Sequence, residues 1–384
     1  MNQTTILHNY CRFLFDAGII FSIYLFSAIH VQGQEFNGKM PKMKEVDFSK
    51  LVQPVRNESK FLDADYNIWC GSVIKSETGK YYMFYSRWPK AKGHEAWVTD
   101  SEIALAVAEH PGGPYKHLKV VFEQRGKEYW DGIATHNPAA IFHKGKYYLF
   151  YMGTTGTAPI TPGFAYSPAW YDYRNHQRIG VAIADDPEGV WKRFEKPLLD
   201  AGEDSTDYDA MLVSNPAITV DDNGRAILVY KQVEKNGTFR GGKVRYGVAF
   251  SNSLLGPFKK NPDPIFQDKN NADPKVWMLA EDPFIWHQRG TTFAIVRDVI
   301  GKFTGEEGAL ALFTSKNGSN WFPAQYPKVL SREVYDANGK KFDDKLERPW
   351  LLIEHGMPKY LFGAMGIDKR KHSMNVAVPL HTKL

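Results

Sequence analysis

The sequence predicts an all-β chain folded as a five-bladed β-propeller of four-stranded antiparallel blades. Two observations carry this: a strand–turn–strand pattern that recurs five times, and a second strand pair that follows each copy. The copies of the first pattern read "CGSVIKSETGKYYMFYSRW", "NPAAIFHKGKYYLFYMG", "NPAITVDDNGRAILVYK", "DPFIWHQRGTTFAIVRD" and "RPWLLIEHGMPKYLFGAM". They open at Gly71, Pro138, Pro216, Pro283 and Pro349, separated by 67, 78, 67 and 66 residues. Each holds two apolar, aromatic-rich stretches of strand length around a turn of Gly, Asp or Asn.

The second pattern reads "EIALAVAEHPGGPYKHLKVV", "RIGVAIADDPEGVWKRFEKPLL", "RYGVAFSNSLLGPFKKNPDPIF" and "GALALFTSKNGSNWFPAQYPKVL", with a truncated last copy "HSMNVAVPL". Four strands per period with little helical periodicity exclude βαβ units and point to blades. The truncated copy is expected to be completed from the N-terminal stretch "VDFSKLVQPV", residues 46–55.

Ahead of the repeats, Arg12 precedes a 13-residue apolar run, Ala17 to Ile29, and "VQG" ends at Gly33. The run is short for a bilayer span and fits an export signal over residues 1–33. Residues 34–46 read as a linker and 47–384 as one propeller domain. The expected location is secreted, periplasmic or cell-surface, with no membrane span after signal cleavage. Cys11 and Cys70 are the two cysteines, so signal removal leaves Cys70 alone, without an internal disulfide or a cysteine-based metal site. The net charge of +5 is spread over 384 residues without a basic run, which excludes a nucleic-acid-binding reading. Aromatic residues make up 14% of the chain and suit both strands and sugar faces. Two long insertions, "PKAKGHEAWVTDS" and "TTGTAPITPGFAYSPAWYDYRNHQ", are expected binding loops.

In a propeller the first strand of each blade lines the axis. Carboxylates recur just before it: Asp63 and Asp65, Asp131, Asp209, Glu281 with Asp282, and Glu347. Asp131 and Asp209 both lie seven residues before a proline, Glu281 and Glu347 two before. Carboxylates gathered on one axis suit glycoside cleavage, in which one group donates a proton and another handles water or the oxocarbenium-like transition state. Trp69, Arg87, Trp130, His136, Glu347 and Arg348 are the expected substrate-binding residues. No cofactor is expected, although His136 at the axis could meet a central metal ion.

The first hairpin "SVIKSETGKYYMFYSRW", the "AEDPFIW" opening and the five-fold repeat resemble glycoside hydrolase family 43 and its five-bladed relatives, including the family 117 neoagarooligosaccharide hydrolases. Tyr85-Ser86-Arg87 and Tyr129-Trp130-Asp131 are similar to family 117 segments. The resemblance implies a glycosidase, exo-acting on plant or algal polysaccharide or oligosaccharide, with Glu281 as general acid and Asp131 or Asp209 tuning it. Where the resemblance implies a general-base aspartate, this chain has Trp69-Cys70-Gly71; the nearest candidates are Asp65 and Asp63, and Asp65 is taken as the base. A glycoside phosphorylase using Arg87, Arg297 and Arg348, and a non-catalytic carbohydrate-binding propeller, are the alternatives.

Overall fold

The computed structural model describes residues 43, 46–161, 163–267 and 275–381. The expected export segment, and the expected linker apart from Met43 and Val46, lie outside them. Five four-stranded antiparallel sheets form the five blades. Blade I is built from Tyr66–Lys75, Tyr81–Pro89, Glu102–Ala108 and Lys116–Phe122, and blade II from Ala134–His143, Lys146–Thr154, Arg178–Ala184 and Lys192–Arg193. Blade III comprises Leu212–Val220, Ala226–Val233, Val244–Ser251 and Lys259–Lys260; blade IV comprises Ala280–Gln288, Thr291–Asp298, Leu310–Ser315 and Phe322–Leu330. Blade V takes Glu347–Glu354, Met357–Ile367 and His372–Pro379 from the C-terminus, and Lys60–Phe61 from the N-terminal side.

That closing strand corrects the sequence expectation. Lys60 pairs with Val376 and Phe61 with Asn375, whereas the 46–55 stretch contributes the bridge Val52–Leu380. Pro54 has no N–H to extend a ladder, so the chain leaves the sheet edge and rejoins it at Lys60. The 46–55 stretch serves instead as packing. Phe48 and Val55 are fully buried, and with Met43 and Val46 they join the core of blades IV and V.

The inner strands of blades I to IV are buried along most of their length, because each is pressed between neighbouring blades. The outermost strands face water. Those of blades II and III are two residues long, Lys192–Arg193 and Lys259–Lys260. Short, cationic edges deter pairing with another chain.

Every inner strand carries a bulge at the same place. Pairing with the second strand is interrupted between Trp69 and Ser72, His136 and Ala139, Ser214 and Ala217, Glu281 and Phe284, and Glu347 and Trp350. The first bulged residue is left-handed in all five: Cys70, Asn137, Asn215, Asp282 and Arg348, with φ between 48° and 57°. The second is Gly71 or a proline, whose missing N–H leaves nothing unpaired in a bulge. The prolines that opened each repeat are therefore bulge residues. Pro138, Pro216, Pro283 and Pro349 and Gly71 surround a void of about 10 Å³ on the axis, room for about one water, so no open tunnel passes through. No helix of the described residues is long and apolar enough to cross a membrane.

Candidate active site

The five left-handed residues project onto the axis and bond to one another. The Cys70 thiol donates to Asn137 Oδ1 (2.9 Å), Asn137 Nδ2 to Asn215 Oδ1 (2.6 Å) and Asn215 Nδ2 to Asp282 Oδ1 (2.7 Å). At the far end Arg348 donates to Asp282 Oδ1 (3.1 Å), and its positive charge acts on the Cys70 thiol, partly opposing the effect of burial. Of the five, Asp282 is the sole carboxylate.

Above this ring lies a cavity of about 260 Å³. Its walls differ by side. Blades IV and V supply Glu281, Asp282, Glu347, Arg348 and Arg370, joined by Lys231 from blade III. Blade I and the two insertions supply Trp69, Trp88, His94, Glu95, Trp97, Tyr166 and Trp170, with His136 from blade II. The insertions interlock, because Trp170 Nε1 donates to the Glu95 carbonyl at 2.9 Å and the Trp97 and Trp170 rings meet edge to face at 5.8 Å. The helix Pro168–Asn175 is held at its start by Ser167 Oγ, which accepts from the Trp170 amide.

Each carboxylate on the charged side has a cationic partner. Glu281 Oε1 accepts from Lys231 Nζ at 2.6 Å and its other oxygen from Arg297. Glu347 accepts from Arg370 at 2.7 Å and pairs with Lys345 at 3.2 Å. Burial pushes the Glu347 carboxyl up, but Arg297, Arg370 and Lys345 outweigh it and hold it at about 2. Burial pushes the Lys231 ammonium down to about 8, against Asp282, and the cations Arg174, Arg348 and Arg297 push the same way as burial. Lysine is the one cation of this set able to give up its proton near neutral pH.

His136 is kept neutral by burial, and Arg348 and His94 add to the shift. Its Nδ1 lies 2.7 Å from Ser101 Oγ and its Nε2 3.7 Å from the Cys70 sulfur. With both nitrogens so placed and Arg348 adjacent, the residues around His136 do not fit a cation. Among the described residues no group of three or more His, Cys, Asp or Glu is arranged to hold a metal.

Of the residues singled out from sequence, Glu281, Glu347, Trp69, His136 and Arg348 meet in this cavity. Asp65, Asp131, Asp209, Arg87 and Trp130 do not, which corrects the expected convergence on the axis. Asp65 is exposed, in a turn that Asp63 caps by accepting from the Asp65 and Tyr66 amides (2.9 and 3.1 Å). Asp131 is fully buried, bonded to Arg125 Nε (2.7 Å) and the Tyr151 hydroxyl (2.7 Å), with Arg193 at 3.5 Å. Asp209 repeats that pattern with the Tyr230 hydroxyl (3.3 Å) and Lys260 (2.7 Å). Their shared register thus reflects a repeated staple from the loop before a blade to its second and fourth strands. Arg87 is bound to Glu102 at 2.8 Å and lies over the Tyr66 ring, and Trp130 stacks on Tyr151. Sequence reasoning missed Lys231, Arg370, Glu95 and the two axial asparagines as site residues, although the insertion holding Glu95 and Trp97 was legible as a binding loop.

No protein-family profile matches the chain, and no curated protein matches it. Solved structures do. BT0996, solved as a complex with RGII, aligns with a TM-score of 0.63 at 15% identity, over 87% of this protein and 95% of the other. Zg3597, a family 117 glycoside hydrolase of the marine bacterium Zobellia galactanivorans, aligns at 0.57 and 17% identity, over 87% and 91%. A thermostable family 43 glycoside hydrolase aligns at 0.56 and 15% identity, over 83% and 90%. The chain has the fold of the five-bladed glycoside hydrolases. At these identities the likeness establishes the propeller, as the resemblance in sequence implied, and leaves the chemistry to the cavity.

Proposed function

We propose that this chain is an exo-acting glycosidase that takes the end of a plant or algal glycan into the cavity above the axial ring. The observation that carries the reading is a pair of charge-held carboxylates, Glu281 and Glu347 on neighbouring blades, facing a wall of tryptophans across a blind pocket. A sugar ring presents an apolar face to aromatics and hydroxyls to charged groups. A blind pocket suits a chain end.

Cleavage needs a proton for the leaving oxygen and negative charge beside the oxocarbenium-like carbon. In our reading Glu281 and Lys231 act together as the acid. The proton rests on Lys231, 2.6 Å from Glu281, and passes to the glycosidic oxygen as the C–O bond breaks. Glu347, ionised and across Arg297 from Glu281, takes the proton of the attacking water. Arg297 and Arg348 are each committed to a carboxylate and Arg87 lies outside the cavity. This favours water over phosphate as the acceptor. Export by the N-terminal signal would bring the protein to such substrates outside the cytoplasm.

The test is reducing-sugar release from a panel of plant and marine oligosaccharides, with and without phosphate. Wild type should release sugar regardless of phosphate, and Glu281→Gln should lose about 10²- to 10⁴-fold in rate. Lys231→Met should lose as much on natural linkages yet retain activity on aryl glycosides whose leaving group needs no proton. Binding without release by wild type would instead support the carbohydrate-binding alternative.

A further inference from the structure

The cavity of about 260 Å³ falls below the usual range for drug-sized ligands, roughly 300–1,000 Å³, and matches about one sugar unit. A longer glycan must therefore lay its second unit outside, at the mouth. The aromatics of the wall are graded in depth: Trp88, Trp170 and Trp69 are 1%, 5% and 7% exposed, whereas Tyr166 is 55% exposed. Tyr166 is also left-handed, with φ of 60°, a conformation costly for a bulky residue and retained where the surroundings impose it. The surroundings here are specific. Its ring lies 5.1 Å from Trp170, whose indole N–H is itself held by the Glu95 carbonyl at 2.9 Å; burial, with the nearby Glu95 carboxylate, raises the phenol's pKa. Glu95 belongs to the insertion of blade I and Tyr166 to that of blade II, so each loop fixes the other.

We propose that Tyr166 forms a second sugar subsite at the cavity mouth, with its ring as a stacking platform for the penultimate unit of the glycan. The inference rests on the glycan reading of the cavity. An exposed ring beside a site is commonplace on protein surfaces. This one is distinguished by its left-handed backbone and by its continuity with the tryptophan wall through Trp170. It leaves one ring face open above a pocket that one unit fills.

The experiment compares the wild-type chain with Tyr166→Asn and Tyr166→Phe. Asparagine tolerates the left-handed backbone but removes the ring, while phenylalanine keeps the ring and removes only the hydroxyl. The probes are xylotriose, α-1,5-arabinotriose and neoagarotetraose against the methyl monoglycosides of the same sugars, whose aglycone is too small to reach Tyr166. The Asn variant should raise KM about tenfold for the oligosaccharide with kcat unchanged, and leave the monoglycoside within about twofold. The Phe variant should resemble wild type. Equal losses on both substrate types, or an unchanged KM for the oligosaccharide in the Asn variant, would overturn the subsite. Calorimetric binding of the same oligosaccharides separates the two claims. A tenfold weakening in the Asn variant without turnover by wild type keeps the subsite and rejects the glycosidase, whereas no binding of any oligosaccharide rejects the subsite.

Discussion

Lys231 and Cys70 illustrate how strongly this interior sets the chemistry of single side chains. If the Lys231 ammonium supplies the proton, activity requires its charged form and is lost as pH rises through about 8. A pH–rate profile on natural linkages should show an alkaline limb there, falling about tenfold per unit, and the activity that Lys231→Met retains on aryl glycosides should lack that limb. Cys70 behaves oppositely to a catalytic thiol. Burial pushes it up to about 12, only partly opposed by Arg348, so it is an inert, thiol-protonated ring member. Treatment with a thiol reagent at pH 8, followed by site mapping, should leave Cys70 unlabelled until guanidinium unfolds the protein. The sequence showed both residues differently. Cys70 stood out because an aspartate was expected there. Lys231, in "VYKQV", carried no signal, because its function depends on Glu281, 50 residues away, reaching it through the sheet.

Between neighbouring strands, the staples at Asp131 and Asp209 hold the blades' inner, second and outer strands in fixed relation. Each tyrosine that meets an aspartate lies over a third-strand glycine. A Cβ at Gly180 would come 2.9 Å from the Tyr151 ring, and one at Gly247 would come 2.7 Å from the Tyr230 ring. Asp131→Asn keeps the shape but leaves Arg125 and Arg193 without their shared counter-ion. It should lower unfolding stability by about 3 kcal/mol in chemical denaturation, the lower end for breaking a buried ion pair because both arginines reach solvent. Tyr151→Phe should cost about 1 kcal/mol. These elements also show why the fold was legible and the site only partly so. Strand alternation and turn residues recur every 67 residues or so and declare blades. A carboxylate at a shared register declares only equivalence. Glu281 and Glu347 sit inside an inner strand, where the pleat aims them at the cavity. Asp131 and Asp209 precede the strand, in loops that turn them between blades. The insertions were read from their length, and the second also from its aromatic content; both contribute side chains to the wall of the cavity.

The whole ring of blades depends on a closure made outside the repeats. Blade V draws its outermost strand from Lys60–Phe61 and is backed by Phe48 and Val55. Phe48 is fully buried although it lies outside every blade. Phe48→Ala should therefore destabilise the entire propeller by about 3–5 kcal/mol, with one cooperative transition by tryptophan fluorescence and circular dichroism if the closure couples all five blades. A first transition confined to part of the signal would mean that the blades unfold separately.

The axial chain of bonds has a sink. A carboxylate accepts and does not donate, and Asp282 Oδ1 takes one bond from Arg348 and one from Asn215, which itself accepts from Asn137, as Asn137 does from the Cys70 thiol. No amide in that chain can turn over without setting two donors or two acceptors face to face. The fixed end thus imposes a single polarity on the floor of the cavity, and any substrate resting there meets dipoles whose direction was decided by one aspartate.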